Sequence, residues 1–200
     1  MNLLPRLTNT ATVNPKWVGS PLVARYVPSP NVSARATARH PNPTIDSIIL
    51  HATGGNDLDH ALHVLADPAR EASCHYVIAR DGEIIQMVDD THKAWHAGIS
   101  QWNGRIDLNP WSLGIELVSD GHTYTEAQYV AVEALLACRM AAYDVKPEKV
   151  LGHHEVAWPL GRKWDPSGRM GFDWERLTRK GLTVSHCRAL PLDGVTPLPR

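Results

Sequence analysis

Apolar residues along this 200-residue chain recur with two periods, and the switching between them predicts its fold. The run Ser47-Ile48-Ile49-Leu50 is short, continuous and ends at His51, the pattern of a buried central strand. Asp57 can cap a helix in which Leu58, Ala61, Leu62 and Leu65 repeat at helical spacing, and Asp67-Pro68 ends it. Residues 75–79 and 83–88 flank Arg80-Asp81-Gly82, a tight-turn signal that predicts a hairpin. Residues 112–118, SLGIELV, read as another strand. Thr125-Glu126-Ala127-Gln128 has the form of a capping box. The helix it opens would place Ala127, Ala131, Ala134, Leu135, Cys138 and Ala141 on one face and stop before Pro147. A short strand over 149–151 and a final helix over 172–180 complete the pattern. Strands alternating with helices predict an α/β class, a single domain with a central mixed β-sheet flanked by helices.

The two ends lack such periods. Residues 1–44 are rich in Pro, Asn, Ser and Thr, with VPSPN and RHPNPT as breakers, and read as an irregular N-terminal arm. The catalytic domain is expected over 45–180, and 181–200 reads as a C-terminal tail or linker stub. The first residues contain no continuous apolar core, which predicts synthesis in the cytoplasm without a secretory signal. No stretch approaches the ~20 apolar residues of a membrane span.

Composition adds little until the histidines are counted. A net charge of -1 gives no electrostatic case for nucleic acid. Cys74, Cys138 and Cys187 are scattered and odd in number, which fits a reduced compartment better than a disulfide framework. Seven tryptophans stand against one phenylalanine. Six lie between Trp95 and Trp174, where they can rim a groove for sugar or peptide or simply pack the core. Eleven histidines exceed what packing needs. A catalytic zinc takes three protein ligands and keeps one position open. His51 at a strand end, His153 after Gly152 and the acceptor-only Asp165 make a suitable donor set. A histidine beside a strand is more often a satisfied structural group, and no HExxH motif is present, so spacing alone leaves both readings open.

The blocks SIILHAT, SCHYVIARDGEIIQMVDD, KAWHAG, NPWSLGIELV and GHHEVAWPLGRKWDP occur in that order. Together they resemble the type-2 N-acetylmuramoyl-L-alanine amidases, the superfamily that includes peptidoglycan recognition proteins and phage lysozyme-amidases. The resemblance runs from about Ile45 to Arg176. It implies one zinc ion, Zn2+, held by His51, His153 and Asp165, with Glu116 as catalytic base and Lys163 as charge stabiliser. His154 then supports the ligands from behind or lines the groove, rather than binding metal. Thr53, Trp95, His96, Asn109 and Arg162 become candidate substrate contacts. The chain departs from many relatives in one place. Its segment from Glu155 to Lys163 is longer by about two residues, with the extra length expected to bulge at Trp158-Pro159.

The expected reaction is hydrolysis of the amide between N-acetylmuramic acid and the L-alanine of a peptidoglycan stem peptide. The arm and tail favour a wall-lytic enzyme such as a phage endolysin. The alternatives are a cytosolic amidase recycling anhydro-muramyl peptides and a non-catalytic peptidoglycan-binding module. A Cys74/His75 nucleophilic pair is disfavoured, because neighbours on a strand point to opposite faces.

Overall fold

The structure is a computed structural model that describes residues 18–184. Cys187 and the tail beyond 184 lie outside the described residues. In chain order the elements are β1 (Arg25–Tyr26), β2 (Val32–Ala34), β3 (Ser47–Ala52), α1 (Leu58–Ala66), β4 (Tyr76–Ile78), β5 (Ile84–Gln86), β6 (His92–Ala94), β7 (Gln101–Trp102), β8 (Arg105–Ile106), β9 (Ser112–Leu117), α2 (Glu126–Tyr143), β10 (Val150–Gly152), α3 (His153–Val156) and α4 (Trp174–Arg179). Six strands form one mixed sheet in the order β1-β5-β4-β9-β3-β10. β3 lies between β9 and β10 and runs parallel to both. β4 is parallel to β9 and antiparallel to β5.

The hairpin turns where the Asp-Gly signal lies. Gly82 adopts φ 89 and its N–H closes the turn on the Ala79 carbonyl. Alternation then sorts each strand's residues between two faces. Ile48, Leu50, Tyr76, Ile78, Leu113, Ile115 and Leu117 meet α2 and α4 in the main core. The opposite face carries two smaller apolar clusters, one under α1 around Leu62 and Val77, the other around Ile49, Leu108 and Val156. Between them the same face carries His51, Gly114 and Glu116, which interrupt the hydrophobic surface.

Both long helices start where their caps predict. The Asp57 carboxylate accepts from His60 N–H, and Thr125 with Gln128 forms a complete capping box. The buried stripe of α2 differs from the alanine face read from sequence. It runs through Gln128, Ala131, Val132, Leu135 and Arg139, while Ala134 and Ala141 face outward. Alanine methyls carry too little apolar area to decide a face, whereas Gln128 and Arg139 are buried because they have partners. The Gln128 amide donates to the Val118 and Ile78 carbonyls, and Arg139 pairs with Asp90.

Within the segment read as an irregular arm, β1 adds an edge to the sheet beside β5, and β2 pairs with β6. Arg35 follows β2 and donates to the carbonyls of Asp90, Pro110 and Ser112. Residues 25–35 are thereby tied to the loop before β9.

Candidate metal centre and active-site groove

Register places the first two site residues. His51 and Glu116 are opposite one another across the β3–β9 pair, so their side chains leave the same face side by side. β10, on the other side of β3, ends at Gly152, and α3 begins at once with His153. Gly152 is required here, since a Cβ would lie 2.4 Å from the His154 ring. Its N–H donates to the Glu155 carboxylate at 2.7 Å, which ties down the start of α3. The chain returns so that the Asp165 carbonyl accepts from His154 N–H, and the Asp165 carboxylate accepts from Ala52 N–H.

These constraints bring His51, His153 and Asp165 together, with one donor atom from each lying within 4.8 Å of the others. Asp165 Oδ2 is 3.2 Å from His153 Nδ1 and 3.9 Å from His51 Nδ1. Tetrahedral zinc with bonds of roughly 2.0–2.1 Å separates its ligand atoms by about 3.4 Å, so the donor set fits with little movement. Buried polar atoms at the centre point the same way. His153 Nε2 and Glu116 Oε2 have no hydrogen-bond partner among the described residues.

Burial sets the electrostatics. It holds the His51 imidazole well below its ordinary pKa, with His153, His96 and Lys163 adding positive-charge repulsion. His51 is thus neutral and able to offer a lone pair. Burial opposes ionisation of Asp165 too. The His153 hydrogen bond, Ala52 N–H and Lys163 outweigh it and keep the carboxyl below its ordinary value. Glu116 is pushed up to about 8 by burial and then by the charge of Asp165, with Lys163 opposing. A carboxyl in such a place has the high proton affinity that a general base needs.

The centre opens into a groove of about 440 Å³. Lys163 and Thr53 line it near the centre, and Trp95 and His96 stand on one wall. The Trp95 indole is fixed by a hydrogen bond to Ser33 Oγ. Thr53 Oγ1 accepts from Ser119 N–H and donates to the Gly55 carbonyl, which shapes the loop after β3. Asn109 and Arg162 are placed differently. Asn109 Oδ1 accepts from the backbone of His96 and Ala97. The Arg162 guanidinium donates to the carbonyls of Trp158, Ile99 and Ala97, clamping the 155–163 segment onto the loop after His96. Sequence reasoning missed the far wall, where α1 contributes His60 and the turn after it contributes Arg70. Asp57 was read as a cap, and nothing in the helical period said which side of α1 would face an open groove. Trp174 packs in the core and Trp164 lies at the surface, so indoles do not rim the groove as a set. Cys74 is buried, its thiol donates to the Tyr76 carbonyl, and burial pushes its pKa well up, which disfavours a nucleophile.

Comparison with known proteins shows the family and the fold. Residues 41–168 match the N-acetylmuramoyl-L-alanine amidase family. The 1,6-anhydro-N-acetylmuramyl-L-alanine amidase AmpD of Salmonella typhimurium is 35% identical, over 82% of this chain and 92% of its own. The N-acetylmuramoyl-L-alanine amidase AmiD of Escherichia coli is 33% identical, over 76% of this chain and 58% of its own. Among solved structures, an AmpD crystal structure superposes with a TM-score of 0.66 at 32% identity, covering 80% of this chain and 94% of that one. AmiD in complex with anhydro-N-acetylmuramic acid-L-Ala-D-gamma-Glu-L-Lys gives 0.63 at 32% identity, covering 74% and 62%. A Bacillus subtilis endolysin, at 24% identity and a TM-score of 0.51, shares the fold.

Proposed function

The chain belongs to the N-acetylmuramoyl-L-alanine amidase family, and from that premise we propose that it releases the stem peptide from soluble 1,6-anhydro-muramyl peptides. The observation that carries the reading is the convergence of His51, His153, Asp165, Glu116 and Lys163 on one groove. The choice of substrate is supported by relatives at 35% identity whose names specify the anhydro sugar. The wall-lytic role favoured by the arm and tail gives way here, because the endolysin likeness extends to the fold alone.

His51, His153 and Asp165 would hold a zinc ion. Such an ion supplies Lewis acidity, which polarises the scissile carbonyl and acidifies water. Glu116, beside His51, takes the proton from the attacking water and passes it to the departing L-alanine nitrogen. Lys163 offers fixed positive charge to the oxyanion that develops on the carbonyl oxygen. Trp95 and the α1 wall shape the groove in which the muropeptide lies, and Arg162 holds the two loops that carry His96 and Lys163. No helix among the described residues is long and apolar enough to cross a membrane.

The test is mass spectrometry of products from an anhydro-muramyl tripeptide and from intact peptidoglycan, each with zinc and with chelator. Free tripeptide with an L-alanine amino terminus, formed faster from the soluble substrate and lost with chelator, is expected. Preferential attack on intact peptidoglycan would restore the lytic role. Turnover unaffected by chelator would remove the metal.

A further inference from the structure

The hydrogen bonds behind His51 run in one direction. His51 Nε2 lies 3.0 Å from His96 Nδ1. The other nitrogen of His96, Nε2, lies 3.2 Å from Ser112 Oγ. Ser112 Oγ in turn is 2.8 Å from the Leu108 carbonyl oxygen. Two oxygens at that distance repel unless a proton lies between them, and a carbonyl has none to give. The serine proton therefore points at Leu108, and Ser112 Oγ faces His96 as an acceptor. A neutral imidazole that donates from Nε2 accepts at Nδ1, so the proton between the two rings belongs to His51 Nε2. His51 Nδ1 is then left with a bare lone pair, on the side that faces Asp165.

The ring of His96 is held for this purpose by two unrelated features. Its backbone N–H donates to Asn109 Oδ1. Its imidazole lies flat on β9 over Gly114, where a Cβ would come within 2.5 Å of the ring. Gly114 is thus a cradle that only a residue without a side chain provides.

We propose that His96 and Ser112 are positioning residues, whose relay from the Leu108 carbonyl fixes the tautomer of His51 and presents its Nδ1 as the metal-binding nitrogen. The inference rests on the metal centre proposed above. A histidine ligand is generally oriented by the partner of its second nitrogen, and loss of that partner typically weakens metal binding about 10- to 100-fold. Here the partner is a neutral histidine rather than a carboxylate, so the ligand is oriented without adding negative charge.

Zinc affinity measured by chelator competition on the purified protein tests the relay. H96F fills the space of the ring without its nitrogens, and S112A removes the acceptor. Each should bind zinc about 10- to 100-fold more weakly than the native protein. H96Q can accept through its carbonyl and donate through its amide, and should restore most of the affinity. A folded H96F with native affinity, or an H96Q as weak as H96F, would overturn the proposal. Independently, long-range proton–nitrogen NMR of the chelator-treated native protein should find His51 as the Nε2–H tautomer, and the Nδ1–H tautomer would overturn it. The NMR result decides the relay even if the variants fail to fold. Failure of the native protein to bind zinc would instead strike at the proposed function.

Discussion

Two buried polar clusters lie on opposite faces of one sheet. Tyr76 reaches into the α2 side, where its hydroxyl donates to Asp90 at 2.7 Å. Arg139 and the Tyr143 hydroxyl donate to the other Asp90 oxygen at 2.9 and 3.0 Å. On the opposite face, around His51, Glu116 and His153, two buried atoms, His153 Nε2 and Glu116 Oε2, have no partner among the described residues. The difference lies in the carboxylates, since the Asp90 cluster also leaves Arg139 Nε without a partner among the described residues. Asp90 spends both oxygens on donors within the fold, as a structural carboxylate must. Glu116 keeps an oxygen unused, and the protein bears that cost at the place where the proposed reaction needs a free acceptor.

Three measurements can break or sharpen this contrast. The largest effect belongs to Glu116→Gln, which should lower turnover of the soluble substrate by about 10²–10⁴-fold. Its melting temperature should not fall, because the native burial already disfavours the charge. Full turnover, or a marked loss of stability, would erase the distinction between the clusters. Asp90→Ala should do the opposite. It strands Arg139 in the interior and should cost about 3–5 kcal/mol of stability, with zinc affinity unchanged in the folded fraction. A melting temperature near native would show that the Asp90 cluster contributes little.

The smallest effect calibrates both. Asp46 lies at the start of β3, half-buried between Arg105 and Lys149. Burial opposes its ionisation, and the bonds from Lys149 and Arg105 outweigh that, so its pKa lies below the ordinary 3.8. A depressed carboxyl pKa gives stability that is present above pH 3.8 and lost as pH falls through the native value. Asp46→Asn should therefore cost about 0.5–1 kcal/mol at pH 7 and flatten the acid side of the stability profile. Identical acid profiles for native and variant would remove this contribution.

Sequence made the large elements legible because their signals are local. The apolar run before His51, the Asp-Gly turn at Gly82 and the caps of α1 and α2 each depend on a few neighbouring residues. β1 and β2 were not legible, because strands of two or three residues exist only through partners distant in sequence. The β7–β8 ribbon is different: it closes over the local Asn103-Gly104 turn signal, which the apolar periods pass over. The site divides in the same way. His51, His153 and Asp165 could be named as suitable donors and were matched by resemblance, and the fold brings them together. Their support could not be named. His96 serves His51 only because Gly114 lies under its ring, and that depends on the register of β9. Arg162 read as a substrate contact because an arginine in a loop carries no sign that backbone carbonyls will occupy it.

The central place of β3 has a consequence for how the protein is made. β3 precedes both strands that flank it, β9 and β10, by a long stretch of chain. Its pairing is parallel and long-range, the kind that forms slowly. His153 and Asp165 come later still, so a chain that stops before Asp165 offers only two of the three donors. A zinc ion at the proposed centre would therefore meet its full donor set only after the strands that carry it have been made.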